Sequence, residues 1–199
     1  MTAKRGRPRS FDREAALVQA TMLFWRHGFE GTSITDLTAA MGVSPPSLYA
    51  AFGDKRALFA EVVERYGETF GAFMGTALAE EKDTRAAFAR MLREAAVHYT
   101  DPAHPAGCLI ISAATNCTRQ TADIEGGLRE RRAANVRVFE DRLTEARSLG
   151  QLPEDADPRA LAVYFGAVVQ GLSQQARDGA TESELTRAAE LAMAAWPEA

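Results

Sequence analysis

Gly28, Gly42 and Gly53, each followed within a few residues by a side chain able to cap a helix, cut the start of this chain into short helical segments. Isolated helices shorter than about 12–15 residues are marginal in water, so such segments must pack on one another to persist. The first is bracketed by Asp12 as N-cap and by Gly28. Phe11 is placed to staple onto Ala16, and Leu17, Ala20 and Phe24 share one stripe. The second begins at Ser33, whose spacing to Asp36 is that of a capping box, turns Leu37 and Met41 inward and stops at Gly42. After Val43 alone, Ser44 caps a third helix with Pro45 at N1, where no amide hydrogen is missed. It runs through Leu48 and Tyr49 to Phe52, and Gly53 breaks it.

Asp54 then caps a long connector helix that begins at Lys55 and continues past Phe70 and Phe73. Helical patterns recur from about Thr84 to Tyr99, Cys108 to Thr115, Asp123 to Leu149, Pro158 to Arg177 and Glu182 to Trp196. Pro102 and Pro105, Gly150 with Pro153, and Gly179 separate them, and Thr181 with Glu184 forms another capping box. No stretch alternates as paired strands do, so the class is all-α, with about nine helices.

The chain has 199 residues, enough for a small domain joined to a larger one, and its hydrophobic fraction of 46% suits a packed core. No run is long and apolar enough to cross a bilayer, and the basic N-terminus lacks the apolar core of a secretory signal. The expectation is a cytoplasmic protein without a membrane partner. Cys108 and Cys117 are too few for a disulfide scaffold. The net charge of -4 hides an asymmetry. Through Ala60, eight basic residues face five acidic ones, while fifteen face twenty-two beyond, so the two parts carry +3 and -7. Nucleic acid would meet the N-terminal part. Residues 1–10, rich in Arg, Gly and Pro, read as a flexible basic arm.

Two short helices around Gly42-Val43-Ser44 match a helix-turn-helix, although a plain three-helix packing unit gives the same pattern. More residues extend the match. Phe11-Asp12-Arg13-Glu14-Ala15, Phe29-Glu30-Gly31-Thr32-Ser33 and the run from Gly42-Val43-Ser44-Pro45-Pro46-Ser47-Leu48-Tyr49 to Leu58-Phe59 resemble the TetR/AcrR family of transcriptional regulators in order and spacing. The resemblance covers residues from about 10 to 60. It implies a helix-turn-helix domain over 11–54, an effector-sensing and dimerisation domain over 55–199, double-stranded operator DNA as partner, and a homodimer released from DNA by a small-molecule effector.

The candidate DNA-binding residues are Arg7 and Arg9 in the arm, Ser33 and Thr35 opening helix two, Ser44, Pro45, Pro46, Ser47 and Tyr49 on helix three, and Lys55 opening helix four. Ser44 and Ser47 sit where free amides and the positive end of the helix dipole suit a phosphate or base edge, and capping alone also accounts for them. Pro45 and Pro46 stiffen that turn and offer apolar surface to a thymine methyl. For Tyr49 the resemblance implies a backbone phosphate, with packing on helix one as the alternative. Lys55 resembles the family's phosphate anchor, and a solvated lysine is the other reading. The arm either enters a narrow minor groove or screens phosphates without specificity. Ala51 departs from the family pattern, in which His or an aromatic residue is common. Phe24, Leu37, Val43, Leu48, Phe52 and Leu58 read as core.

In the second part, Leu161, Phe165, Val168 and Leu172 with Leu185, Ala189, Met193 and Trp196 give apolar faces for an intersubunit four-helix bundle or for the chain's own core. Candidate effector contacts are Met74, Met91, Tyr99, Ile111, Phe139 and Tyr164, with Phe88 also considered; ordinary packing is the alternative for each. Cys108 follows a proline-rich break and opens a helix, a position that lowers a thiol's pKa, so it is the candidate redox or electrophile sensor beside the alternative of an inert buried thiol. His98 and His104 with Cys108 are too irregularly spaced for a metal site. No P-loop, GxSxG, HExxH or dinucleotide fingerprint accompanies Cys108, so the reading is a non-enzyme with no catalytic residue, cofactor or metal. An architectural DNA-binding protein without effector is the rival from another class.

Overall fold

The computed structural model describes residues 12–115 and 117–197. The basic arm with Arg7 and Arg9, and the Phe11 staple, lie outside the described residues. The described residues form ten α-helices and two 3-10 turns, with no strand. In order these are α1 (Arg13–His27), α2 (Ile34–Met41), α3 (Pro45–Phe52), α4 (Lys55–Glu68), α5 (Phe73–Glu80), α6 (Thr84–Thr100), α7 (Leu109–Ser112), α8 (Ala122–Ser148), α9 (Pro158–Arg177) and α10 (Glu182–Ala192).

The caps read from sequence form. Asp12 accepts from the Ala15 amide, Ser33 and Asp36 close a capping box, Ser44 accepts from the Ser47 amide, and Asp54 accepts from Ala57. Gly42 takes the left-handed conformation, φ 66°, that ends α2. Two elements differ from expectation. The connector helix stops at Glu68 and restarts at Phe73, which makes ten helices of about nine. The amide of Gly71 donates back to the Tyr66 carbonyl at 2.8 Å, closing a wide turn, and Gly67 and Gly71 favour the helix least. The turn places Phe70 against Trp25, ring centroids 5.3 Å apart. The segment from Cys108 to Thr115 holds only one helical turn, α7.

One apolar core runs from α1 to the C-terminal turn. At its N-terminal end Phe24 and Phe29 meet Phe59 edge-on at 5.0 and 5.1 Å, so the first half of α4 packs as part of the helix-turn-helix unit. At the other end α6 is the central helix, with Phe88, Met91, Leu92, Ala95 and Ala96 wholly enclosed by α5, α9 and α10. Phe88 touches Phe139, Phe165 and Trp196. Phe165, Leu172, Leu185, Ala189, Met193 and Trp196 are therefore buried within their own chain. They do not form a free face for a partner, because α6 and α8 already occupy the inner side of α9 and α10. The apolar side chains left open on these two helices are Val163, Tyr164 and Leu191, with Leu161 and Val168 half-buried. Among the described residues no helix is long and apolar enough to cross a membrane.

Candidate nucleic-acid interface and effector cavity

Helix α3 presents two different sides. Leu48 and Phe52, one turn apart, enter the core, while Ser44, Pro45, Pro46, Ser47 and Tyr49 are exposed. Tyr49 is 48% exposed, which agrees with an outward hydroxyl and not with a ring buried on α1. The Ser44 and Ser47 hydroxyls lie 2.9 Å apart at the positive end of the helix, so a phosphate there would meet two hydroxyls; the free amides expected from sequence are absent, because Pro45 and Pro46 carry no N–H and the Ser47 amide is bonded to Ser44 Oγ. Ser33 is more committed. Its hydroxyl donates to Asp36 at 2.6 Å, and that bond leads the set that holds the Asp36 carboxyl below its ordinary range. Thr35 is exposed in the first turn of α2.

Two cations brace this unit in ways sequence spacing does not reveal. Arg13 donates to Glu61 on α4 and lies over the Phe52 ring at 4.5 Å, tying α1, α3 and α4 together. The Lys55 ammonium lies over the Phe29 ring at 4.3 Å. Its burial there pushes its pKa down, and Glu30 opposes the shift, so Lys55 is neither freely solvated nor unpartnered.

The same unit is tied to the rest of the chain at several points. The Phe29 amide donates to the Ala113 carbonyl at 2.7 Å, and Arg177 of α9 donates to the Trp25 carbonyl at 3.4 Å and to Ser112 Oγ at 3.2 Å. Arg56 donates to Asp123 and the Gln120 carbonyl, and Glu30 accepts from the Thr118 amide and both the Thr118 and Thr121 hydroxyls. The Thr121 hydroxyl, then Thr118, holds the Glu30 carboxyl below its ordinary pKa. This contribution is complete above the unfolded value of about 4.3 and is lost as pH falls through the lowered folded value. Replacing Glu30 by Gln should therefore flatten the acid side of the melting temperature against pH, measured by circular dichroism. An unchanged acid limb would count against the contact.

Behind this junction lies a cavity of about 510 Å³. Tyr66 and Gly67 from α4, Met74 and Gly75 from α5, Ile110 and Ile111 from α7, Arg131, Arg132, Asn135 and Phe139 from α8, and Gly166, Val169 and Gln170 from α9 line it. Of the residues expected from sequence, Met74, Ile111 and Phe139 are in this lining and Met91, Tyr99 and Tyr164 are not. Met91 and Tyr99 are fully enclosed in the core on α6, and Tyr164, 37% exposed, donates to the Ala192 carbonyl at 3.2 Å on the outer side of α9. Tyr66, Arg131, Arg132, Asn135 and Gln170 were missed, since polar residues on an amphipathic helix read as its solvated face.

Cys108 also borders the cavity, but burial pushes its thiol pKa up. The expected lowering at a helix start is outweighed because α7 is one turn long: the Ile110 and Ile111 amides and the Tyr66 and Tyr99 hydroxyls favour the thiolate less than enclosure disfavours it. His98 stacks on Phe73 at 4.7 Å and His104 on Trp25 at 4.4 Å, so both serve aromatic packing. Among the described residues no group of three His, Cys, Asp or Glu is arranged to hold a metal ion.

Residues 16–62 match the family model for bacterial regulatory proteins of the tetR family, and residues 85–192 match the tetracycline repressor-like C-terminal domain. The chain belongs to the TetR family. It is 38% identical to the HTH-type transcriptional repressor ComR of Escherichia coli over 195 residues, covering 98% of this chain and 93% of that protein. It is 30% identical to the repressor BdcR of the same organism, covering 94% and 90%. Its fold superimposes on the TetR-family regulator CifR, a cysteine mutant solved with a 26-bp double-stranded operator, with a TM-score of 0.92 and 38% identity, covering 96% of this chain and all of that one. The N-terminal match reaches Val62, which agrees with the packing of Phe59 and Val62 beneath α1. In this TetR-family chain residues of the helix-turn-helix and of the cavity lining belong to one continuous core.

Proposed function

We propose that this chain is a ligand-released transcriptional repressor that binds a near-palindromic operator as a homodimer. The observation that carries the reading is the exposed polar start of α3, held on the same core as a half-open, mostly apolar cavity. The relatives named as repressors and the operator complex of CifR support it. Residues 11–54 form the DNA-binding unit together with the first turns of α4, and the remainder senses and dimerises. Ser44, Pro45, Pro46, Ser47 and Tyr49 enter the major groove, and Ser33, Thr35 and Lys55 flank it. Arg7 and Arg9 reach the duplex from the arm. The strip of Tyr164, half-buried Val168 and Leu191 on α9 and α10 faces the second copy. Effector and DNA favour different arrangements of one dimer, so each weakens the other by the same factor.

Fluorescence anisotropy on the DNA upstream of the chain's own gene, with scrambled competitor and a salt series, tests this reading. Binding should survive competitor and fall steeply with salt, and Tyr49→Phe should weaken it about tenfold through the loss of a charge-assisted hydrogen bond. Equal affinity for scrambled DNA would favour an architectural protein, and no binding on any fragment would remove the reading altogether.

A second sensing mode has one observation in its favour: the Cys108 thiol borders the cavity, so an electrophile or oxidant that enters would meet it. Its raised pKa makes such a reaction slow at neutral pH. Cys108→Ser should then leave release by a non-reactive effector intact and abolish release by a thiol reagent.

A further inference from the structure

We propose that the effector of this cavity is an amphipathic organic anion, with an apolar body among Met74, Phe139 and Val169 and a negative end at Arg132. The proposal rests on the cavity being the effector site and adds the chemical class of its occupant.

The charged side chains of the lining are both cationic, Arg131 and Arg132, and both stand on α8. Their carboxylate partners lie outside the lining and do not fully offset them. Arg131 pairs with Glu64 at 2.6 Å. Arg132 reaches Glu125 only at 3.8 Å, and the other oxygen of Glu125 is engaged by Arg129 at 3.2 Å. Arg132 thus shares a distant carboxylate with the exposed Arg129, and its charge at the cavity wall is only partly offset.

Arg132 is the more enclosed of the two, with 21% of its side chain exposed against 43% for Arg131. One of its nitrogens donates to the Ile110 carbonyl at 2.9 Å, which fixes the group at the wall and leaves further N–H donors unassigned in its planar fork. A cation held at an apolar wall is costly unless paired, and its field there is screened less than in water. A carboxylate, sulfonate or phenolate entering the cavity would supply the countercharge. Asn135 and Gln170 add amide donors near the same wall. A cationic ligand would meet no carboxylate in the lining.

Two fluorescent probes sharing one skeleton test this: 1-anilinonaphthalene-8-sulfonate, which is anionic, and N-phenyl-1-naphthylamine, which lacks the sulfonate. Titrated into the intact protein, the anionic probe should bind about tenfold more tightly than the neutral one, as expected for one charge-assisted contact in a partly enclosed site. Arg132→Gln should bring the two affinities together, Arg132→Lys should keep most of the preference, and Arg131→Gln, which leaves the Ile110 contact untouched, should reduce it. Gly75→Leu should weaken both probes, because Gly75 lines the cavity and a Cβ there meets no atom within 4 Å, so a larger side chain can stand at the cavity's edge. Equal affinity of the two probes, or a preference unchanged in Arg132→Gln, overturns the anion at Arg132 and leaves the cavity standing. Probe binding that is not weakened in Gly75→Leu overturns the cavity as the site, and with it this proposal.

Discussion

Phe24→Ala is expected to lower the unfolding free energy by about 3–5 kcal/mol, the usual cost of emptying a well-packed aromatic site. Phe24 is wholly enclosed and lies between Phe29 and Phe59, which touch each other as well, so no single side chain can move in to fill the space without releasing another. The cluster is also a contact by which α4 holds α1, and α3 is held by α2 and α4. DNA affinity should fall with stability, and Phe24→Leu, which keeps most of the volume, should restore much of both. Urea unfolding with anisotropy on the same samples checks this. A loss below about 1 kcal/mol would mean that the site collapses and that the cluster does not set the position of α3.

Gly107→Ala is expected to cost about 3 kcal/mol or more, because it combines a disfavoured backbone conformation with a collision against main chain. Gly107 has φ 79°, and a Cβ there would stand 2.7 Å from the Ser173 carbonyl oxygen and 2.9 Å from Arg177 Cγ. Neither is a loose chain end: Ser173 Oγ accepts from the Cys108 amide at 2.9 Å, and Arg177 reaches the end of α1 and Ser112. Displacing them loosens the seam between α9, α7 and α1. Gly150→Ala is the matched control, since Gly150 has φ 72° but no atom within 4 Å of its Cβ, so it carries the backbone cost of about 1–2 kcal/mol alone. Calorimetric melting of the two variants separates the terms. Equal losses would show that the seam yields to the extra methyl.

Much of the N-terminal unit was legible because its information is local. Asp12, Ser33, Ser44 and Asp54 cap helices within three residues of themselves, and Gly42 ends one by its own backbone freedom. Capping therefore survives without knowledge of the fold, and the exposed side of α3 follows from the spacing of Leu48 and Phe52. The second part was less legible, since α9 carries large apolar side chains on its open side as well as on its buried one. Phe165 and Tyr164 are adjacent in sequence, yet one is enclosed beside Phe88 and Trp196 while the other faces outward. Periodicity identifies such a helix but not which neighbour covers each side. For the same reason Met91 and Tyr99 resembled pocket residues and are core, while Arg132, which no spacing singles out, stands at the cavity wall.

Residues within a turn or two of one another were enough for the all-α class, for the helix ends set by caps and glycines and for the helix-turn-helix, and the order and spacing of residues from about 10 to 60 were enough for the family resemblance. Where α4 breaks, which faces of α9 and α10 remain open and that the cavity's charged lining is cationic follow from packing between distant segments. Packing also decides the state of Cys108: nearby amides and the Tyr66 and Tyr99 hydroxyls favour the thiolate, but burial removes water and disfavours that charge more strongly. These outcomes depend on segments far apart in the chain meeting at one place, where burial changes the energy of a charge or an apolar surface in a way that no local spacing encodes.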